Sequence, residues 1–381
     1  MKVVIAPDSF KGSLSAYEVG QAAGSGVKRV FPDAEMISVP MADGGEGSIE
    51  ALSSLGVQEI PVTVTGPSGE TVHTSYITLQ QDGEETAFIE CARSTGLPLI
   101  HKETADPYEL NSYGLGEQIK DAVERGYKTI MISLGGSATT DGGTGMLQAL
   151  GFQFLNATGD ILGVNRNVLT EAVHITDENK LAGLAACQFI AATDVTNPFY
   201  GTQGAAYIYG PQKGATAEQV PELDNGLQQL AKSIQEKYGR DVQHIPGAGA
   251  AGGLGGALAG VLGAELKSGF DIIAALTGLE EKISSSDLVI TGEGSLDAQS
   301  LYGKVPVNVA RMAKKHGKSV VAIAGTVGED IFELHDMIDA VFSIQTGPRS
   351  LEDAMNPEIA AQQITQTTEQ IMRLWKASLF C

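Results

Sequence analysis

A chain of 381 residues, 43% hydrophobic and 19% charged, carries enough apolar material for two packed cores, so two domains are expected rather than one. Its net charge of −21 repels nucleic acid and anionic membrane surfaces, so any anion it binds must meet a locally positive patch or a metal. Cys91, Cys187 and Cys381 lie far apart without ligand spacing. No run is apolar enough to span a bilayer, and the first strand begins at once with no signal peptide, all of which points to a reducing, cytoplasmic setting.

The β-branched run Lys2 to Ala6 predicts a buried strand that Pro7 ends. Asp8, Ser9, Lys11, Ser13 and Ser15 follow as a polar turn, and helical spacing runs from Leu14 to Phe31 until Pro32-Asp33 stops it. Met36 to Val39 is a second strand, Pro40 to Gly47 its loop, and Ile49 to Leu55 a helix. This β-α-β-α rhythm belongs to a parallel sheet. From Gln58 the rhythm changes: Ile60–Val64, Val72–Leu79 and Ala87–Cys91 read as strands, Asp82-Gly83 as a hairpin turn, and with no helix between them they should pair antiparallel. A helix over Glu109–Arg125, a strand over Lys128–Leu134, a short helix to Leu150, a strand over Cys187–Thr193 and a long helix over Thr216–Tyr238 come next. Gly247 to Gly263 is an alanine-glycine run that predicts a helix packed very closely on a neighbour. The first rhythm returns with a strand at Asp287–Thr291, a helix at Val305–His316, strands at Ser319–Ala324 and Ala340–Ile344, and a helix at Pro357–Trp375. The fold class expected is α/β with two α/β domains. Residues 1–65 and 285–381 build a three-layer parallel-sheet domain, and 66–284 form an inserted second one.

Five polar, glycine-bearing loops follow five of these strands: Ala6–Lys11, Ala42–Gly47, Gly135–Gly143, Thr193–Pro198 and Thr291–Lys304. Each carries carboxylates beside glycines, hydroxyls or a lysine, at the strand ends where open parallel sheets bind ligands. Asp8, Ser9 and Lys11 read either as an anion site at a helix start or as turn residues with Ser13 as the cap and Lys11 solvated. In the third loop, Gly135 and Gly136 let backbone N–H groups face an anion, Ser137, Thr139 and Thr140 add hydroxyls, and Asp141 is placed to hold a metal or accept a proton; an ordinary turn with an Asp cap is the competing reading. In the fifth, Glu293 and Asp297 suit Mg²⁺ and Lys304 a phosphate, against a solvated i,i+4 pair. No Walker pattern, G-x-S-x-G or H-E-x-x-H occurs, and no histidine falls in the five loops. Gly247, Gly249 and Gly252 match G-x-G-x-x-G, but close helix packing explains them better than a dinucleotide site. Carboxylates, lysines and glycine cradles without histidine suit metal-assisted phosphoryl transfer.

APDSFKGSLSA at Ala6, ADGGEGS at Ala42, GGSATTDGG at Gly135, ATDVTNP at Ala192 and TGEGSLDAQSLYGKVP at Thr291 together resemble the type I glycerate kinase family, in order and over essentially the whole chain. Gly12 stands where many relatives carry glutamate. The resemblance implies ATP-dependent, Mg²⁺-requiring phosphorylation of D-glycerate, with the site in a cleft between two α/β domains. The chemistry of the residues then suggests Lys11, Asp194 and Lys304 as catalytic, and Glu293 and Asp297 as metal ligands. Asp8, Ser9, Asp43, Gly44, Gly45, Glu46, Gly135, Gly136, Ser137, Thr139, Asp141 and Asn197 would contact substrate or phosphate. ATP and D-glycerate are the expected partners, with the chain a monomer or homodimer; a sugar-acid sensor and a metal-dependent phosphatase are the alternatives.

Overall fold

The computed structural model describes residues 1–379 apart from 46, 82, 298, 299, 301, 302 and 330. In chain order its strands are β1 (Lys2–Pro7), β2 (Glu35–Ser38), β3 (Gln58–Thr65), β4 (Thr71–Gln81), β5 (Glu84–Glu90), β6 (Thr129–Ser133), β7 (Gln153–Leu155), β8 (His174–Thr176), β9 (Gln188–Ala192), β10 (Glu265–Lys267), β11 (Leu288–Leu296), β12 (Ser319–Val327) and β13 (Ala340–Ser343). The chain packs as two units, one of Met1–Asp43, Glu50–Leu55 and Phe270–Cys381, the other of Gly44–Ile49 and Gly56–Gly269. No helix among the described residues is long and apolar enough to cross a membrane.

The first unit is built on a parallel sheet in the order β13-β12-β11-β1-β2. Its strands read as continuous apolar runs because both faces are covered: Val3, Val4, Leu288, Val289 and Val320 are all fully buried. The helices Ala16–Val30 and Pro357–Ser378 pack on the face that carries Val3, Ile5, Leu288 and Ile290. They approach so closely that a Cβ on Gly26 would stand 2.5 Å from the Thr365 carbonyl oxygen. The first of these helices starts at Ser15, not Ser13. The Ser15 hydroxyl accepts from the Glu18 N–H, and the Glu18 carboxylate accepts from the Ser15 N–H at 2.9 Å, a closed capping box. Renumbered within this sheet, the order is 2-1-3-4-5, and the direction of winding reverses between β1 and β11. A crevice at the strand ends of such a reversal is where this architecture places ligands.

The second unit holds a mixed sheet in the order β10-β9-β6-β5-β4-β3 and a small β7-β8 pair. β3, β4 and β5 pair antiparallel as their uninterrupted rhythm predicts, although Asp82 of the turn signal lies outside the described residues. β3 joins this sheet through eight residue pairs with β4, so residues 58–65, expected within the end-built domain, belong to the second unit. β5, β6, β9 and β10 are parallel. The alanine-glycine run is a helix over Ala250–Ala257 extended by a π turn over Leu258–Leu262, but it opens with three left-handed residues, Ala251 to Gly253. A Cβ on Gly252 would stand 1.9 Å from the Thr139 carbonyl oxygen, and the Gly142 N–H donates to the Gly252 carbonyl at 3.0 Å. Close approach, not dinucleotide binding, accounts for those glycines.

Candidate active site

At the winding reversal of the first unit, Pro7 pairs with Gly292, and the Asp8 N–H donates to the Gly292 carbonyl at 2.8 Å. The strand predicted to stop at Thr291 continues to Leu296. Gly292 makes this possible, because a Cβ there would meet the Ile323 carbonyl oxygen at 2.3 Å, and Glu293 and Ser295 pair onward with Ala324 and Thr326. Glu293 therefore sits on a strand rather than in a loop, and is 6% exposed, unlike a solvated i,i+4 partner. On the other side of β1, the Met41 N–H donates to the Pro7 carbonyl at 2.9 Å and carries the chain past the β1 end to Asp43.

This geometry gathers carboxylates. Burial, then the charges of Asp43 and Glu293, push the Asp8 carboxyl up to about 7, against a hydrogen bond from the Ser9 N–H to Oδ1. Burial also raises the Glu293 carboxyl, with the Asp297 charge adding to it. Ser300, fully buried, donates to Glu293 Oε1 at 2.7 Å and accepts from the Asp297 N–H. Lys304 Nζ lies 3.2 Å from Glu293 Oε2 and donates to the Ser295 carbonyl at 3.3 Å. Lys304 itself is fixed as the residue that precedes the helix Val305–Lys315. Lys11 is exposed on the loop after β1, whose backbone lies 3.5 Å from where a Gly294 Cβ would stand. Asp8, Asp43, Glu293 and Asp297 are linked by electrostatic reach, with Lys304 in direct contact with Glu293, an arrangement suited to a cation. Among the described residues no three His, Cys, Asp or Glu side chains could cage a metal alone. An ion here would thus take one or two carboxylates and complete its shell with water and phosphate, as Mg²⁺ does.

The second unit brings together the remaining predicted residues. Gly135 follows β6, and its N–H donates to the Gly44 carbonyl at 3.2 Å; a Cβ on Gly135 would stand 2.2 Å from the Gly45 Cα. Glu46 lies outside the described residues. Just beyond it, the Gly47 and Ile49 N–H groups donate to the carboxylate of Glu90 at the end of β5. Ser137 and Thr139 are buried, and Lys213 Nζ donates to the Ser137 hydroxyl at 2.8 Å and the Thr139 carbonyl at 2.7 Å. Asp194 accepts from the Gly269 N–H at 2.9 Å. Asn197 donates to the Gln203 carbonyl and accepts from the Tyr209 hydroxyl at 2.7 Å. Asp141 is held by the turn itself. Fully buried, it accepts from the Ser112 N–H and hydroxyl and from the Gly143 and Gly145 N–H groups, at 2.7 to 3.1 Å. Those four donors tie it into the turn, three of them on Oδ2 and one on Oδ1.

Sequence reading passed over Lys213, Glu90 and Ser300. The one local signal for Lys213 is its place between glycines in GPQKG; its partners lie 74 and 76 residues away.

A family model described as the glycerate kinase family matches residues 3–376 of the chain. The Escherichia coli K12 protein named glycerate 2-kinase is 48% identical over 356 residues, 93% of each chain. A Bacillus cereus glycerate kinase is 41% identical over 378 residues, 99% of this chain and 98% of the relative. A crystal structure from Salmonella typhimurium LT2, solved as that of a glycerate kinase 2 candidate, superposes over 100% of both chains with a TM-score of 0.87 at 40% identity.

Proposed function

The chain belongs to the glycerate kinase family and is a phosphotransferase of that kind, and from this premise we propose how its own residues transfer the γ-phosphoryl group of ATP to the C2 hydroxyl of D-glycerate. The name of the Escherichia coli relative, a 2-kinase, supports C2 over C3. The observation that carries the residue roles is the carboxylate group at the β1–β11 reversal.

Asp8 is the proton acceptor. A carboxyl pushed up to about 7 is matched to a proton transfer near neutral pH, where an ordinary aspartate is too weak a base. As the substrate oxygen forms its bond to the γ-phosphorus, the bond from that phosphorus to the bridging oxygen breaks, the hydroxyl proton passes to Asp8, and the electron pair leaves with ADP. Lys304 is held by Glu293 and the Ser295 carbonyl, and with Lys11 it offsets charge on the moving phosphoryl group. Mg²⁺ fits one or two of Asp43, Glu293 and Asp297, and when bound it neutralises phosphate charge that two lysines cannot offset. In the second unit, the Gly136 and Ser137 N–H groups and the Ser137 hydroxyl bind an oxyanion of a substrate.

Phosphorus NMR of the product tests the assignment: a phosphomonoester resonance coupled to the single C2 proton is expected. Coupling to the two C3 protons would move the acceptor to C3 and leave the kinase reading standing.

A further inference from the structure

Lys213 lies in the short turn Pro211–Lys213, is 2% exposed, and forms no ion pair with a carboxylate among the described residues. The ionisable groups that act on it are Cys91 and Asp141. Burial pushes the Cys91 thiol up to about 12, so it stays neutral, and it donates to the Gly135 carbonyl. Asp141 lies within electrostatic reach of Lys213 but makes no ion pair with it, its oxygens accepting from four internal donors. A buried ammonium without a direct ion-pair partner is costly.

An ammonium only donates, so the Ser137 oxygen must accept from it, and the Ser137 proton has to go elsewhere. Among the described residues no acceptor takes that proton, and the Gly136 and Ser137 N–H groups donate to no acceptor either. The Thr139 hydroxyl, fully buried, is also without a partner. Gly136 is exposed, so the loop reaches the surface of its unit. Several donors and one buried positive charge converge on one loop without an acceptor.

We propose that Lys213 is a positioning residue for an oxyanion site at Gly135–Thr139. It holds the Thr139 carbonyl inward, turns Ser137 into a donor for the ligand, and adds positive charge beside the bound oxyanion. The inference rests on the reading that this loop binds a substrate oxyanion, and the shared chemistry is either the carboxylate of the acceptor or a phosphate of ATP.

The test measures KM for D-glycerate and for ATP, with kcat, from pH 6.5 to 9.5, in the wild type, Lys213→Met, Lys213→Arg and Ser137→Ala. Burial lowers the Lys213 ammonium to about 8, so in the wild type the KM of the substrate held by this loop should rise up to tenfold per pH unit above 8, with kcat steady. Lys213→Met should raise that same KM 10- to 100-fold and flatten its pH dependence, and Lys213→Arg should restore part of it. Which of the two KM values moves identifies the carboxylate or the phosphate as the ligand. If Ser137→Ala raises a KM while Lys213→Met leaves both KM values and their pH profiles unchanged, the role of Lys213 is overturned and the loop remains a binding site. If Ser137→Ala also changes neither, the loop reading itself fails. Should Lys213→Met not fold, calorimetry of substrate binding to the wild type at pH 8.5 in two buffers replaces it. Proton uptake of up to one per site supports the inference, and none overturns it.

Discussion

Replacing Asp8 by asparagine should move stability and activity in opposite directions. In the folded chain the Asp8 carboxyl titrates at about 7, against 3.8 for the unconstrained group, a difference of about 3 pH units or roughly 4 kcal/mol. The side chain is half-buried, so solvent screening takes part of this, and roughly 2–4 kcal/mol is expected. The sign follows from linkage: a carboxyl raised on folding is protonated in both states below its unfolded value, then disfavours the folded state progressively as pH climbs to its folded value. Above about pH 7 that penalty is constant. Asp8→Asn lacks it at every pH. In chemical denaturation of the ligand-free protein the variant should therefore be the more stable at pH 8, with about a third of that advantage at pH 5. Its kcat should nonetheless fall by a factor on the order of 10² to 10⁴, the worth of a lost proton acceptor. An advantage equal at the two pH values, or a variant less stable at pH 8, would refute the view that neighbouring charge and burial poise Asp8 as a base.

Lys304→Ala should lower kcat/KM by a factor on the order of 10² or more in steady-state assays, through lost stabilisation of transition-state charge, and a folded variant with unchanged kinetics would remove Lys304 from the mechanism. Asp141→Ala should lower unfolding stability by about 2–4 kcal/mol, since four donors to a fully buried carboxylate lose their acceptor, while the Mg²⁺ requirement of the remaining activity stays at the wild-type value. Chelation with EDTA should abolish turnover and Mg²⁺ or Mn²⁺ should restore it; of Glu293→Gln and Asp297→Asn, at least one should raise the Mg²⁺ needed for half-maximal rate, and wild-type metal dependence in both would leave Asp43 as the ligand.

Much of the frame was legible because its strands are short apolar runs with punctuated ends. Lys2–Pro7, Thr129–Ser133 and Ser319–Val327 announce themselves by β-branched residues, and the switch from parallel to antiparallel rhythm after Gln58 is visible as missing helices. The winding reversal was not legible, since strand order depends on which sheet edge each helix crosses to, and no local spacing encodes that. Gly292 disguised the end of β11, because a glycine admitted for close approach to Ile323 looks like a loop residue in one dimension. The bonds that Asp141 makes were not legible either: a carboxylate among glycines and hydroxyls suits a ligand or its own turn equally well, and the donors from Ser112 and Gly145 are fold contacts. Lys213 owes its importance to a fold contact, and a lone lysine in a polar loop carries no mark of burial.

The most direct test of the account is ADP release by the purified protein with ATP and Mg²⁺, measured with and without D-glycerate, in the wild type and in Asp8→Asn. Release should depend on D-glycerate, match phosphoglycerate formed mole for mole, and nearly vanish in the variant at pH 7.5. ADP and inorganic phosphate appearing at the same rate without D-glycerate, or a variant as active as the wild type, would contradict the account.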